Sequence, residues 1–254
     1  MITAYCDLDN TLIYSKYHKF VDDTICIETY YDKPFSFMLE KDFKVFSEIM
    51  GCNDICIVPL TSRSSVQIDR LDFKQERSFP FFIYSNGGCM RLDGEFDKDW
   101  YEESLSLIEN CKPGLELARS YLIYNSTRNF EVRCIDDLWL FTKLSDTASA
   151  KKDLESILSP NLFDVQCKRD KIYVIPKVLN KANAIKRLEK RLKSDFTIAG
   201  GDSKLDEDMF RVVDLAVAPT SLGCTLPNVI NVDSEFICSR LLEEVNSLRN
   251  KSFS

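Results

Sequence analysis

The chain has 254 residues, of which 44% are hydrophobic and 29% charged, and its formal net charge is −7. This composition is typical of a globular protein, and the length suffices for one large domain or for a core with a smaller insert. The acidic balance argues against a nucleic-acid partner, since phosphate backbones are bound by basic surfaces. No apolar run reaches the roughly 18–20 residues that span a membrane, so no membrane partner is expected.

Cysteine and histidine usage narrows the chemistry further. The ten cysteines are scattered singly and form no CxxC pair. We therefore expect reduced thiols that act as small buried hydrophobic side chains, in a cytoplasmic protein. The single histidine, His18, excludes a zinc site with several histidine ligands, and we expect its side chain to be solvated in a loop.

The first part of the chain predicts buried strands that alternate with helices. Residues 2–8 are apolar on both faces of an extended chain, which is typical of a central strand in a parallel sheet. Two segments, 25–30 and 35–39, predict a hairpin. The elements predicted next are a helix over 40–50, a strand over 54–60, a helix that begins at Ser64 or Ser65, and a strand over 79–84.

The texture of the sequence changes after Gly88, where the predicted strands become alternating and charged. The elements predicted there are a hairpin over 90–96, a largely helical stretch over 102–122, strand alternation over 129–143, a helix over 147–158 and a strand pair over 163–175. Hairpins combined with helices indicate a small α+β domain on an open antiparallel sheet.

From Pro176 onward the sequence again has the pattern of short apolar strands and amphipathic helices that is typical of an α/β core. The elements predicted there are a helix over 181–192, short strands over 196–199, 215–218 and 229–232, and an amphipathic helix over 234–248. The prediction is therefore a discontinuous α/β core, residues 1–87 and 176–254, with an α+β insert over 88–175.

Polar clusters follow several of the predicted core strands. In open parallel sheets ligands bind beyond the carboxyl ends of the strands, so we expect these clusters to converge. They are Asp7 and Asp9 after the first strand, Thr61-Ser62-Arg63 after the second, Asn86-Gly87 after the third, Lys181 at a helix start, and Asp202 with Asp206 after the 196–199 strand.

Three or four carboxylates brought together need a counter-charge, which a hard divalent cation such as Mg²⁺ supplies. A carboxylate beside Mg²⁺ can attack a phosphoryl group in line, while the cation and a lysine neutralise the charge on its equatorial oxygens. A second carboxylate can give a proton to the leaving alkoxide and later take one from the attacking water. These residue types therefore favour phosphoryl transfer from a small phosphorylated substrate.

Four segments in this order resemble the motifs of the haloacid dehalogenase (HAD) superfamily: Asp7-Leu8-Asp9-Asn10-Thr11, Thr61-Ser62-Arg63, Lys181, and Gly201-Asp202-Ser203-Lys204-Leu205-Asp206. Asn86-Gly87 and the long insert are similar to the Cof-like and sucrose-phosphatase-like branch. The resemblance implies a Rossmann-like three-layer core with an inserted class-two α/β cap. Two positions depart from the pattern, because Ser62 stands where the branch often has Gly, and Leu205 where Asn commonly precedes the last Asp.

The resemblance also implies catalytic roles. Asp7 would be the nucleophile that forms an aspartyl-phosphate, and Asp9 would be the general acid and base. Thr61 and Lys181 would hold the phosphoryl group.

The same resemblance implies a Mg²⁺ site and a substrate site. The cation would be bound by the side chains of Asp7 and Asp202 and by the backbone carbonyl of Asp9, with Asp206 as a further ligand or as a partner of the ligands. The residues implied near the substrate are Ser62, Arg63, Asn86 and Gly87.

Three functions are compatible with these residues. The leading hypothesis is a Mg²⁺-dependent phosphatase for a small phosphorylated metabolite, with a sugar or polyol phosphate favoured by the cap type. The alternatives are a phosphomutase or phosphotransferase, which would keep both aspartates, and a non-catalytic protein that binds a phosphate ligand. The segment 13–39 is a candidate for shaping substrate access, and the candidates in the insert for setting specificity are Arg128, Arg133, Lys143 and Lys168.

Overall fold

A computed structural model describes residues 1–74 and 79–252 of the protein, and the chain divides into two compact units. The first unit is Met1–Phe96 together with Lys181–Ser254, and the second unit is Asp97–Asn180. Within the described ranges, every helix is too short or too polar to cross a membrane.

The two units contain both strands and helices along the chain. Those up to residue 96 are β1 (Ile2–Cys6), β2 (Tyr14–Ser15), β3 (Thr24–Tyr30), β4 (Lys33–Leu39), α1 (Glu40–Met50), β5 (Ile55–Pro59), α2 (Ser65–Ile68), β6 (Phe81–Tyr84), β7 (Cys89–Leu92) and β8 (Glu95–Phe96). Those of the second unit are α3 (Lys98–Leu107), α4 (Lys112–Tyr124), β9 (Arg133–Ile135), β10 (Trp139–Lys143), α5 (Thr147–Ile157), β11 (Phe163–Lys168) and β12 (Lys171–Pro176). Those after residue 180 are α6 (Lys181–Leu192), β13 (Phe196–Gly200), α7 (Glu207–Phe210), β14 (Leu215–Pro219), β15 (Val229–Val232) and α8 (Cys238–Ser252).

A five-stranded parallel sheet in the order β15-β14-β13-β1-β5 forms the centre of the first unit. All five residues of β1 are buried, as the continuous apolar run predicts. Ile2 is in register with Phe196 on one side and with Ile55 on the other, so β1 joins the two chain segments of this unit.

Helices α6 and α8 cover opposite faces of this sheet, because alternate side chains of a strand point to opposite faces. On one face, the Tyr5 hydroxyl donates a hydrogen bond to Glu189 of α6 at 2.6 Å. On the other face, a Cβ at Gly200, which pairs with Cys6, would meet Cδ2 of Leu241 in α8 at 2.4 Å. The core is therefore helix, sheet and helix, which confirms the predicted three-layer α/β class.

The strand predicted over 79–84 as a core strand lies outside the parallel sheet. β6 pairs antiparallel with β7 in a separate sheet, β6-β7-β8, and a bridge between Leu60 and Ile83 connects it to the end of the parallel sheet. The hairpin predicted over 90–96 is β7–β8, so it continues the first unit and the compact units change at Asp97. The division into functional domains at residues 88 and 175 stays a prediction.

The second unit is an antiparallel sheet, in the order β11-β12-β10-β9, with three helices. Burial alternates along β10, where Leu140 and Thr142 are buried while Phe141 and Lys143 are half-buried. The helical stretch predicted over 102–122 is two helices, because Pro113 in the first turn of α4 cannot continue α3.

A small second sheet and the start of the last helix complete the description of the first unit. Strands β3 and β4 form the predicted hairpin, and β2 adds to its edge in the order β2-β4-β3. The last helix, α8, begins at Cys238, four residues after the predicted start at 234. Phe236, which precedes the helix, instead packs against Tyr14 of β2 and against His18.

Candidate active site

Lys181 is the centre of a buried charge cluster beyond the carboxyl end of β1. It is the first residue of α6 and is 3% exposed. Its Nζ donates to Oδ1 of Asp7 and, at 2.6 Å, to Oδ1 of Asp206. Asp206 also accepts two hydrogen bonds from Ser203 on Oδ2, so both of its oxygens are engaged. The structure therefore brings two of the predicted site residues, Asp7 and Asp206, to the ammonium group of a third, Lys181.

The residues present fit a hard divalent cation. Asp7, Asp202 and Asp206 each offer a carboxylate oxygen, and these oxygens lie within 4.8 Å of one another. A donor set made only of oxygens suits Mg²⁺. The approach of Asp206 depends on Gly201, because a Cβ there would lie 2.4 Å from Cβ of Asp206. This glycine is needed for space rather than for its backbone conformation.

Burial sets the protonation of the cluster. It raises the pKa of Asp7 well above the usual aspartate value; Lys181 opposes this shift, whereas the carboxylates of Asp206 and Asp9 add to it. Burial lowers the pKa of Lys181, but Asp206 and Asp7 outweigh that effect and the net direction is upward. Lys181 therefore stays charged, and further positive charge beside Asp7 would favour its ionised form.

Asp9 and Arg63 form a forked ion pair at the edge of this cluster. The Arg63 guanidinium donates from Nη2 to Oδ1 of Asp9 at 2.7 Å and from Nε to Oδ2 at 2.9 Å. Its third nitrogen, Nη1, donates to Glu28 at 3.0 Å. The Arg63 side chain is therefore directed at Asp9, the predicted acid and base, and it fixes the orientation of that carboxylate.

Glu28 on β3 is a residue of this site that sequence reasoning missed. Its side chain is fully buried, forms ion pairs with Arg63 and Arg70, and accepts a hydrogen bond from Ser36 at 2.6 Å. The sequence does contain an indication of its burial, because Glu28 directly follows the apolar run Ile25-Cys26-Ile27 within a predicted strand. A charged residue at such a position is buried only when it is paired.

Thr61 and Asn86 lie in two loops that hydrogen bonds hold together. The backbone N–H of Asn86 donates to the backbone carbonyl of Thr61 at 3.0 Å, and the backbone N–H of Arg63 donates to Oγ1 of Thr61 at 3.2 Å. Asn86 and Gly87 both have positive φ angles, 55° and 93°, as the Asn-Gly turn signal predicts. Both residues are buried, whereas Ser62 is exposed.

His18 lies in a loop, between β2 and β3, as predicted, but the expectation that its side chain is solvated is wrong. Its side chain is 19% exposed, with ring contacts to Tyr14, Phe20 and Phe236. Its Nε2 lies 2.9 Å from Oδ1 of Asn10. Tyr14, Phe20 and Phe236 pack around the imidazole. Phe236 comes from a distant part of the sequence, so local sequence could not predict this contact.

The four basic residues predicted to set specificity all lie in the second unit. Arg128 donates hydrogen bonds to backbone carbonyl groups, and Lys168 is exposed. Arg133 and Lys143 each pair with an acidic residue of the same unit and lie over the ring of Phe130, at 4.7 and 5.9 Å from its centroid.

The fold and this cluster define a class of protein, a Rossmann-like three-layer α/β core with an acidic site at the carboxyl ends of its parallel strands. The sequence profile of haloacid dehalogenase-like hydrolases matches residues 61–220, which is more than half of the chain. The chain belongs to the haloacid dehalogenase-like hydrolase family, which confirms the resemblance predicted from the four motifs. A search of curated protein sequences found no match.

Several solved structures share the fold. The sucrose-phosphatase of Synechocystis sp. PCC6803 is 11% identical, with a TM-score of 0.62 over 97% of this chain and 98% of that chain. The C-terminal domain of the trehalose-6-phosphate phosphatase of C. albicans is 15% identical, with a TM-score of 0.62 over 97% and 93% of the two chains. A haloacid dehalogenase-like hydrolase protein from Bacillus subtilis is 15% identical, with a TM-score of 0.57 over 96% and 91%.

Proposed function

We propose that this protein is a Mg²⁺-dependent phosphatase that hydrolyses a small phosphorylated metabolite through an aspartyl-phosphate intermediate. One observation carries the proposal: the Lys181 ammonium joins the carboxylates of Asp7 and Asp206 in a buried cluster that also includes Asp202. An acidic cluster with one ammonium group suits a phosphoryl group held by a cation and a lysine. The ten free cysteines support a reducing compartment, and we propose the cytoplasm.

The chain's own residues account for the bonds that form and break. A carboxylate oxygen of Asp7 attacks phosphorus in line, and the bond from phosphorus to the substrate oxygen breaks. Asp9 gives a proton to the leaving alkoxide and then takes one from a water that attacks phosphorus of the aspartyl-phosphate. The bond from phosphorus to the Asp7 oxygen breaks, which restores the Asp7 carboxylate and releases inorganic phosphate. When bound, Mg²⁺ supplies positive charge that stabilises the oxygens of the phosphoryl group during its transfer. Lys181 and Thr61 orient the phosphoryl group.

We propose for Arg63 a different role from the substrate contact that the resemblance implies. All three of its guanidinium nitrogens face Asp9 or Glu28. We propose that it orients the Asp9 carboxylate toward the leaving oxygen instead of binding the substrate phosphate. Ser62, Asn86 and Gly87 stay proposed substrate contacts.

A sugar or polyol phosphate is the proposed substrate class. Two of the structural neighbours are named as phosphatases of sucrose and of trehalose-6-phosphate. In the second unit, Phe130, Phe141 and Tyr173 form a row of ring contacts with centroids 5.9 and 5.4 Å apart. The cationic groups of Arg133 and Lys143 lie over the ring of Phe130, at one end of this row. Aromatic faces of this kind suit the apolar face of a sugar ring.

The experiment is the release of inorganic phosphate from an aryl phosphate and from a panel of sugar and polyol phosphates, with and without Mg²⁺. We expect release by the wild type only with Mg²⁺, and a loss of about 10³-fold or more in kcat for Asp7→Asn, because the nucleophile is removed. Asp208→Asn is the matched control, since Asp208 is an exposed aspartate of α7, two residues after Asp206.

The outcomes separate the alternatives. A wild type that is inert with Mg²⁺ across the whole panel would overturn the phosphatase, and binding of the phosphates without turnover would indicate the non-catalytic protein. An isomer formed only with a bisphosphate activator would indicate a phosphomutase. Full activity in Asp7→Asn would remove the nucleophile assignment.

A further inference from the structure

Asn10 links the first motif to the Asp202 carboxylate. It follows Asp9 directly and has a φ angle of 61°, a left-handed conformation that asparagine tolerates. Its Nδ2 donates to Oδ2 of Asp202 at 2.9 Å. An ionised carboxylate only accepts hydrogen bonds, so the amide nitrogen of Asn10 must face Asp202 and the amide oxygen must face away.

The amide oxygen of Asn10 faces His18. Nε2 of His18 lies 2.9 Å from Oδ1 of Asn10, and a carbonyl oxygen only accepts, so Nε2 must carry the hydrogen of this bond. The other ring nitrogen, Nδ1, lies 3.3 Å from the exposed carboxylate of Glu235. The rings of Tyr14 and Phe236 contact the imidazole with centroids 5.5 and 5.9 Å away, which holds the ring in place.

We infer that His18 is a positioning residue for the cation site: by donating to Asn10 it fixes the amide orientation in which Asn10 donates to Asp202. This inference rests on the proposed metal site. Groups that hold the ligands of a metal in one orientation contribute to its affinity, because a ligand that is already oriented loses less freedom on binding.

The side chain that orients Asp202 comes from a part of the sequence distant from the Asp202 loop. Leu205, where the family commonly has an asparagine, is 42% exposed and offers no hydrogen bond from its side chain. The amide that contacts Asp202 comes instead from Asn10, in the loop after β1. His18 is the only histidine of the chain, and it contacts the oxygen of that amide.

Two substitutions separate positioning from packing. His18→Phe keeps an aromatic ring among its aromatic neighbours but removes the donor. His18→Gln loses the ring but can place an amide N–H near the position of Nε2. A positioning role predicts that Mg²⁺ binding is weakened in the first variant and kept in the second, whereas a purely structural role predicts the reverse.

The measurement is the dissociation constant of Mg²⁺ for the purified full-length protein, by isothermal titration calorimetry without substrate. We expect His18→Phe to weaken binding by about 3–10-fold, less than the loss of a group that touches the ligand directly, and His18→Gln to stay within about 2-fold of the wild type. Glu235→Gln, which removes the exposed partner of Nδ1, should also stay within about 2-fold. Where His18→Phe does not fold, His18→Met replaces it.

A double-mutant cycle gives the second test. Asn10→Gly removes the amide while tolerating the positive φ angle, and His18→Phe should add no further loss in that background. The inference is overturned if His18→Phe binds Mg²⁺ as the wild type does, if His18→Gln loses as much affinity as His18→Phe, or if the His18→Phe loss persists in Asn10→Gly. A wild type that does not bind Mg²⁺ would instead remove the proposed metal site, and this inference with it.

Discussion

At the scale of single residues, Lys181 holds two carboxylates together where water is excluded. Its ammonium is the group that pairs with Asp7 and with Oδ1 of Asp206. A buried charge that loses its partner is strongly destabilising, because the carboxylates keep their desolvation cost without the compensating attraction. The same contacts that orient the proposed nucleophile therefore also contribute to the stability of the fold.

The prediction concerns Lys181→Met. We expect the free energy of unfolding, measured by urea titration with a chelator present, to fall by about 3–5 kcal/mol. Added Mg²⁺ should restore part of this loss, because a bound cation supplies positive charge to the same carboxylates. Lys190→Met, an exposed position on the same helix, is the matched control and should stay within about 0.5 kcal/mol of the wild type. Equal stability of the two variants would contradict this account.

The site residues that could be predicted from the sequence are those that lie in short local motifs. Asp7, Lys181 and Asp202 were identified because each follows or begins a recognisable element, and strand order brings such positions together. Glu28 and His18 were missed because their partners are set by tertiary contacts. Arg63 was identified as a site residue, but its direction toward Asp9 depends on a buried charge contributed by another sheet.

At the scale of elements, the β3–β4 hairpin is connected to the site through Glu28. This side chain has no exposed surface and faces the guanidinium groups of Arg63 and Arg70. Ser36, on the neighbouring strand β4, donates to it as well. The hairpin therefore stabilises the loop that follows β5, and through Arg63 it orients Asp9.

We expect Glu28→Gln to lower the free energy of unfolding by about 3–5 kcal/mol, because two guanidinium groups lose their buried counter-charge. Its kcat for phosphate release should also fall, since Arg63 no longer fixes Asp9 as firmly. The comparison is Glu48→Gln, an exposed glutamate on α1, in urea unfolding and in the same assay. If Glu28→Gln matches Glu48→Gln in both measurements, the hairpin does not support the site.

Element prediction succeeded where amphipathic periodicity and burial agree. The helices α1 and α6 were predicted over the same residues that form them, and the buried strands β1 and β5 to within two residues at each end. An apolar run such as β6 reveals that it is buried but not which strand it pairs with, so its sheet could not be predicted. The start of α8 was placed too early because Phe236 fits the helical period but packs against His18 instead.

At the scale of the whole molecule, the cysteines report on burial across both units. All ten are free, and only Cys134 and Cys167 are exposed. Six are buried: Cys6, Cys56, Cys89, Cys111, Cys224 and Cys238. Burial raises the pKa of Cys56 to about 11, so its thiol stays protonated and unreactive at neutral pH.

We expect a thiol reagent to modify Cys134 and Cys167 first in the native protein, the half-buried Cys26 and Cys52 more slowly, and the six buried thiols only on unfolding. Mass spectrometry of peptides from a time course gives the order of modification. A reductant should leave the Tm unchanged, because no disulfide contributes to stability. Rapid modification of all ten thiols in the native protein would contradict the burial described above.

The connectivity of the parallel sheet also bears on the order in which the protein folds during synthesis. β1 is made first, but its neighbour β13 starts at Phe196, and Lys181 is made 174 residues after Asp7. The second unit is continuous over Asp97–Asn180, and its strands pair within that span. Because local pairings form before distant ones, this unit can fold on the ribosome while β1 still lacks one of its partners. The carboxylate of Asp7 then receives its lysine only after the inserted unit has been completed.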